Sequence, residues 1–340
     1  MERKSLYFLS PGVVEVRDEQ ISDPGPNQVL VRTLLSAISS GTEMLLYRGQ
    51  FPDHLPLDEN IESLSGPVTY PLKYGYSVVG EIIEVGKEVN PDWIEKKVFA
   101  FQPHSSYFVI EPGSLQIIPD GLSLEDAVLL PNMETAVSFV MDGAPLIGER
   151  VVIFGQGVVG LLTTALLVKF PLERLITFER YDLRRQASID LGAGQSLDPS
   201  SPSFDELIKW ENQDRMLHRA DLVYELTGDP DGLNQAIEAA DFEGRIIVGS
   251  WYGKKMANID LGGWFHRGRL KIISSQVSQI NSASRGRWDK PRRFNFAWEM
   301  LKQVKPSQLI THSIPIEEAD KAFAMLDATP GDTIQVVFKY

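Results

Sequence analysis

Through the first 120 residues, short apolar runs alternate with Gly, Pro, Asn and Asp punctuation. VEVRD, QVLVRTLLSA, VVGEIIEVG, KKVFAF, YFVIEP and LQIIP predict the strands of a compact β-rich domain. From about residue 123 the pattern becomes SLEDAVLLPNMETAVSFVMDGA, whose acidic start and apolar spacing predict one or two helices. VVIFG at 151, LITFE at 175, DLVYELTG at 221, RIIVGS at 245 and LKIISS at 270 then read as parallel strands joined by helical or loop crossovers. Such a doubly wound sheet binds its ligand beyond the carboxyl ends of its strands. RRFNFAWEMLKQ and EEADKAFAMLD predict two late helices and TIQVVFKY a closing strand, a tail expected to rejoin the first domain.

The run VVIFGQGVVG carries Gly155-x-Gly157-x-x-Gly160 between a strand and a helical pattern opened by Val158 and Val159. The first glycine permits a tight turn, the second lets backbone amides approach a pyrophosphate, and the third lets helix pack on strand; the helix N-terminus then faces the phosphates. Glu179 ends the next apolar run, where a carboxylate can accept from the adenosine ribose hydroxyls and repel a 2′-phosphate. NAD is therefore expected, with NADP kept open by Arg180, Arg184 and Arg185 just beyond it.

Composition narrows the function. The chain has 340 residues, a formal charge of −13 and no cysteine. The charge disfavours a diffuse attraction to nucleic acid or to an anionic membrane, and the missing thiols exclude disulfides, thiolate catalysis and Cys-ligated metal. With no signal-like or membrane-spanning run, a cytoplasmic protein is expected.

A β-rich first domain, a Rossmann domain holding GQGVVG and a short return resemble the medium-chain dehydrogenase/reductase superfamily over essentially the whole chain. Further landmarks are SAISSGTE at 36–43, YGYSVVGEIIEVG at 74–86 and LGAG at 191–194. The resemblance implies an α/β protein with a GroES-like catalytic domain at 1–126, a Rossmann doubly wound cofactor domain at 127–275 and a return at 276–340. It also implies cofactor contacts from Thr135, Thr227 and Ser250, and a homodimer or homotetramer, for which NIDLG at 258–262 is a strand-like candidate edge. Zinc-dependent members carry ligands where this chain has Ser40, Tyr76 and Pro131, and none of these replaces a thiolate or imidazole. The four-cysteine structural lobe is missing too, so a zinc-free protein is expected. SAISSGTEMLLYRGQFP most resembles the bacteriochlorophyllide dehydrogenase-like group, which oxidises a hydroxyethyl group on a large ring with NAD.

Without a metal, side-chain donors must stabilise the developing charge. Tyr76 is the first candidate, with Ser40 and Thr42 in the neighbouring landmark. The superfamily's relay histidine aligns with Leu45, which leaves that relay incomplete. His104 is a candidate for proton exchange, and Tyr47, Arg48 and Tyr107 are further substrate-side candidates. Alcohol–ketone interconversion is the expected reaction; enone or quinone reduction and a non-catalytic cofactor-binding sensor are the alternatives.

Two segments depart from the superfamily pattern. Residues 49–74 form a long acidic connection, which reads as a lid over the substrate. Residues 264–298 hold eight Lys or Arg against Asp289 alone, with Arg285 and Arg287 as candidate anion-binding residues and intersubunit salt bridges as the competing reading.

Overall fold

The computed structural model describes residues 1–201 and 219–340. It gathers them into two units, residues 1–131 with 301–340 and residues 132–300.

In the first unit all six predicted runs form strands. Val29–Ala37 is central, and of its nine residues only Arg32 is exposed, the signature of a strand covered on both faces. It pairs antiparallel with Val78–Val85, Tyr107–Ile110 and Gln335–Lys339. Lys97–Ala100 and Gln116–Ile117 extend the sheet on one side, and Ile310–Pro315 lies parallel to Gln335–Lys339 on the other. The C-terminal segment thus does rejoin the β-rich domain, and helix Ala319–Ala328 seats Phe323 between Phe8 and Tyr47. Strand Glu2–Ser10 has no counterpart among the predicted elements. It pairs with Val13–Gln20 in a separate two-stranded sheet, which places Arg3 opposite Glu19.

The long connection 49–74 packs into this same core. Phe51, Leu57, Leu64 and Leu72 are buried with Leu6, Phe8, Leu45 and Phe338, and Tyr76 lies against the cluster. Its middle is closed by a bridge between Pro56 and Pro67 and by the Leu57 N–H donating to the Gly66 carbonyl at 2.9 Å. The segment expected to form a lid is anchored by apolar side chains.

The second unit holds a six-stranded parallel sheet in the spatial order Gln195–Leu197, Arg174–Phe178, Arg150–Phe154, Ala220–Glu225, Ala240–Val248, Lys271–Ser274. Numbered along this unit the order is 3-2-1-4-5-6, so the topology reverses between Arg150–Phe154 and Ala220–Glu225, where such sheets bind dinucleotides. The short strand Gln195–Leu197 is the one the apolar pattern does not reveal. NIDLG forms no strand: residues 258–262 are turn and irregular backbone. Residues 276–300 belong with this unit and not with the return, because Arg293 is buried against Glu134 at 2.6 Å and donates to the Val277 carbonyl. No described helix is long and apolar enough to cross a membrane.

Candidate functional site

The second unit presents the ends of its strands as a nucleotide cradle. Helix Val158–Leu167 begins at Gly157 with no side chain capping it, so its first amides remain available to an anion. A Cβ on Gly160 would come within 2.1 Å of the Gly155 carbonyl, whereas a Cβ on Gly157 would enter open space. The third glycine therefore serves the packing of helix on strand, and the second keeps the ligand side clear. This cradle fits a nicotinamide dinucleotide.

Glu179 lies at the end of Arg174–Phe178, buried, with its carboxylate accepting from the backbone N–H of Gln156 and of Tyr181. The cations beyond it are committed differently. Arg180 pairs with Asp229 at 2.9 Å, Arg184 stacks over the Tyr181 ring, and Arg185 donates to the carbonyls of Glu179 and Arg180. Thr227 and Ser250 sit on the exits of Ala220–Glu225 and Ala240–Val248. Both are tied to Glu225: its fully buried carboxylate accepts from the Thr227 N–H and hydroxyl and from the Tyr252 hydroxyl, and its backbone carbonyl accepts from the Ser250 N–H at 3.3 Å. The Ser250 hydroxyl accepts from the Gly228 N–H at 2.8 Å. Thr135 is half-buried on helix Leu130–Gly143. Glu225 and Tyr252 escape the sequence reading, although Glu225 directly precedes the LTG exit it organises.

The first unit gathers hydroxyls at the other landmark pair. Tyr76 is half-buried; its phenol donates to Ser39 and has Thr42 as a second hydrogen-bond partner. Burial pushes this phenol up, and Glu43 and Asp58 add to that; the bonds to Ser39 and Thr42 offset part of it. Ser40 is half-buried beside Ser39. Ser77, the residue after Tyr76 in the same landmark, donates to the Val128 carbonyl. Leu45 is buried in the core, so the position of the superfamily relay histidine is filled by packing.

His104 is placed differently from the expectation. It is 0% exposed, its Nδ1 lies 2.7 Å from the Ser36 hydroxyl and its Nε2 lies 3.0 Å from Glu43, so both ring nitrogens are committed and neither faces solvent. Gly75, at φ +116°, permits this: a Cβ there would fall 2.6 Å from the imidazole. Sequence reasoning passes over Ser36, Ser39, Glu43 and Tyr340, whose hydroxyl reaches Ser36 at 2.7 Å. Glu43 was readable from its place after Ser40-Gly41-Thr42, whereas nothing along the chain links Ser36 to Tyr340.

The remaining candidates are scattered. Tyr47 stacks on Phe323, and Arg48 pairs with Asp327 at 2.6 Å, both within the first unit's packing. Tyr107 starts an outer strand, paired with Arg32. Arg285 donates to the Ile280 carbonyl and Arg287 lies on an exposed turn. Arg293 is buried, so the basic segment presents one cation fewer than its sequence suggests. Among the described residues no group of three or more His, Asp or Glu could hold a metal ion.

No family model matches the chain. Its sequence is 25% identical over 316 residues to D-guloside 3-dehydrogenase of Escherichia coli K12, which covers 88% of each chain. It is 25% identical over 374 residues to L-threonine 3-dehydrogenase of Pyrococcus horikoshii, covering 98% of this chain and 97% of the relative. A crystal structure of a short chain alcohol dehydrogenase from Escherichia coli CFT073 with NADH superposes with a TM-score of 0.78 at 19% identity, over 100% of this chain and 99% of that one. The chain therefore has the two-part fold of the medium-chain alcohol dehydrogenases, a GroES-like domain with a Rossmann domain, and its sequence relatives are dehydrogenases.

Proposed function

We propose that the protein is an NAD-dependent oxidoreductase that interconverts a fairly large alcohol and its ketone without zinc, with Tyr76 as the acid–base residue. The observation that carries this is the Tyr76 hydroxyl held by Ser39 and Thr42 in a half-buried position. When bound, the cofactor supplies or accepts the hydride. In the reducing direction Tyr76 donates a hydrogen bond and then its proton to the substrate oxygen; in the oxidising direction it takes the hydroxyl proton back.

The donor chemistry at the superfamily's ligand positions does not fit zinc. Ser40 and Tyr76 offer hydroxyls, Pro131 offers no side-chain donor, and both nitrogens of His104 are already engaged. Glu179 favours NAD over NADP, supported by the engagement of Arg180 with Asp229. Relatives named as 3-dehydrogenases of D-guloside and L-threonine support alcohol oxidation over C=C reduction. The resemblance of residues 36–52 to the bacteriochlorophyllide dehydrogenase-like group supports a large substrate.

The test is deuteride transfer from labelled NADH to a panel of cyclic ketones, enones and quinones, with zinc measured in the same preparation. Label on a carbonyl carbon, turnover unaffected by a chelator, and a loss of about 10²–10⁴-fold in kcat for Tyr76→Phe are expected. Stoichiometric zinc, or label only on a β-carbon, overturns the reading.

A further inference from the structure

Two hydrogen-bonded runs, joined through the Ser39 residue itself, connect Tyr340 to Tyr76 within the first unit. Tyr340 and Ser36 meet at 2.7 Å, Ser36 and His104 Nδ1 at 2.7 Å, and His104 Nε2 and Glu43 Oε2 at 3.0 Å. The other oxygen of Glu43 accepts from the Ser39 N–H at 2.8 Å, and the Ser39 hydroxyl receives the Tyr76 phenol. Ser36, Glu43 and His104 are all fully buried, and the imidazole edge rests on Gly75, the residue before Tyr76.

The Ser36 hydroxyl and both imidazole nitrogens can be satisfied in two ways. With Nε2–H donating to Glu43, the Ser36 hydroxyl donates to Nδ1 and Tyr340 donates to Ser36. With one further proton on the imidazole, Nδ1–H donates to Ser36 and Ser36 donates to Tyr340. The Tyr340–Ser36–Nδ1 part reverses without moving a heavy atom, while the Nε2–Glu43 bond and the Glu43 grip on Ser39 stay as they are.

Resting on the assignment of Tyr76 above, we infer that Glu43 and His104 are positioning residues: the buried pair fixes Ser39, and through it the Tyr76 hydroxyl, and its charge balance sets how readily Tyr76 gives up its proton. Ser36 and Tyr340 hold the imidazole in register. Leu45, the residue aligned with the superfamily's relay histidine, lies in the core two positions after Glu43. The other ionisable groups acting on Tyr76 are Asp58, from the 49–74 segment, and Tyr74, against its own ring; Tyr340 is acted on by Glu43 and Glu317.

The test needs no substrate. Ionisation of Tyr76 is read as the tyrosinate absorbance of the wild-type chain minus that of Tyr76→Phe. Glu43→Gln keeps an oxygen for the Ser39 N–H but removes the charge, so this ionisation is expected about one pH unit lower, with the fold checked by thermal melting. An unchanged titration in a folded Glu43→Gln overturns the inference. Should that variant not fold, the ¹⁵N signals of the His104 imidazole decide. In the wild-type chain they should show an inflection at the pH where Tyr76 ionises, absent in Tyr76→Phe; no such inflection overturns it equally. With a ketone that turns over, Glu43→Gln should shift the pH profile of kcat and leave the KM for NADH unchanged. Full turnover by Tyr76→Phe would instead sink the assignment of Tyr76, while the titrations would still report whether the pair is coupled to it.

Discussion

The Glu179 carboxylate accepts the backbone N–H of Gln156 at 2.7 Å, locking the end of one strand to the glycine turn that follows its neighbour. A buried negative charge thereby stands fixed beside the cofactor cradle. Glu179→Ser should release that charge and shift the ratio of the NADPH and NADH dissociation constants about tenfold in favour of NADPH, a change of roughly 1.4 kcal/mol. An unchanged ratio would mean that Glu179 serves the turn alone.

Gly157 and Gly160 should separate ligand binding from folding. Gly157→Ala directs a methyl into open space, so its melting temperature should stay near that of the wild type while the dissociation constant for NADH rises about tenfold or more. Gly160→Ala drives a methyl against the Gly155 carbonyl and should lower the melting temperature as well.

Breaking the Glu134–Arg293 pair should be costly. Both side chains are nearly inaccessible to solvent, and Arg293 also ties down the 276–293 segment through the Val277 carbonyl. Arg293→Met leaves a buried carboxylate alone and should destabilise the fold by about 3 kcal/mol; Glu134→Met with Arg293→Met should recover part of that in denaturant titrations.

Glu19 gives the N-terminal hairpin a pH dependence. Burial pushes its carboxyl up, but the Tyr7 hydroxyl, Lys73, Arg3 and Ser5 outweigh that and hold it well below the usual carboxylate range, at about 2. Because the folded state depresses this pKa, the stability it contributes is present above the unfolded value and is lost as pH falls towards 2. Glu19→Gln should therefore melt lower than wild type at pH 7, by about 2 kcal/mol, with the gap closing as pH drops from about 4.5 to 2. A constant gap across that range would contradict this.

What could be read along the chain and what could not divides by distance. Most strands of the two larger sheets announce themselves because half-buried and fully buried strands impose local apolar patterns, and the fingerprint because three glycines answer three local demands; Ile310–Pro315, with its mixed ITHSIP sequence, does not. Gln195–Leu197 is too short to show a pattern, and Glu2–Ser10 reads as a strand only beside Val13–Gln20. NIDLG has the composition of a strand and no sheet to join. The hydroxyl cluster was half legible: Tyr76, Ser40 and Thr42 share two landmarks, whereas Ser36, His104 and Tyr340 meet only through folding, and His104 was misplaced because a sequence does not display burial.

The anchoring of residues 49–74 bears on how the protein moves. Leu57 and Leu64 are part of the core that also holds Phe8, Leu45 and Phe338, so this segment shares one cooperative unit with the helix that carries Glu43. It should swing free only when that unit opens as a whole, and the Leu57 and Leu64 amides should exchange with solvent as slowly as those of the central strand. A segment held in this way has one shape, fixed when the domain folds.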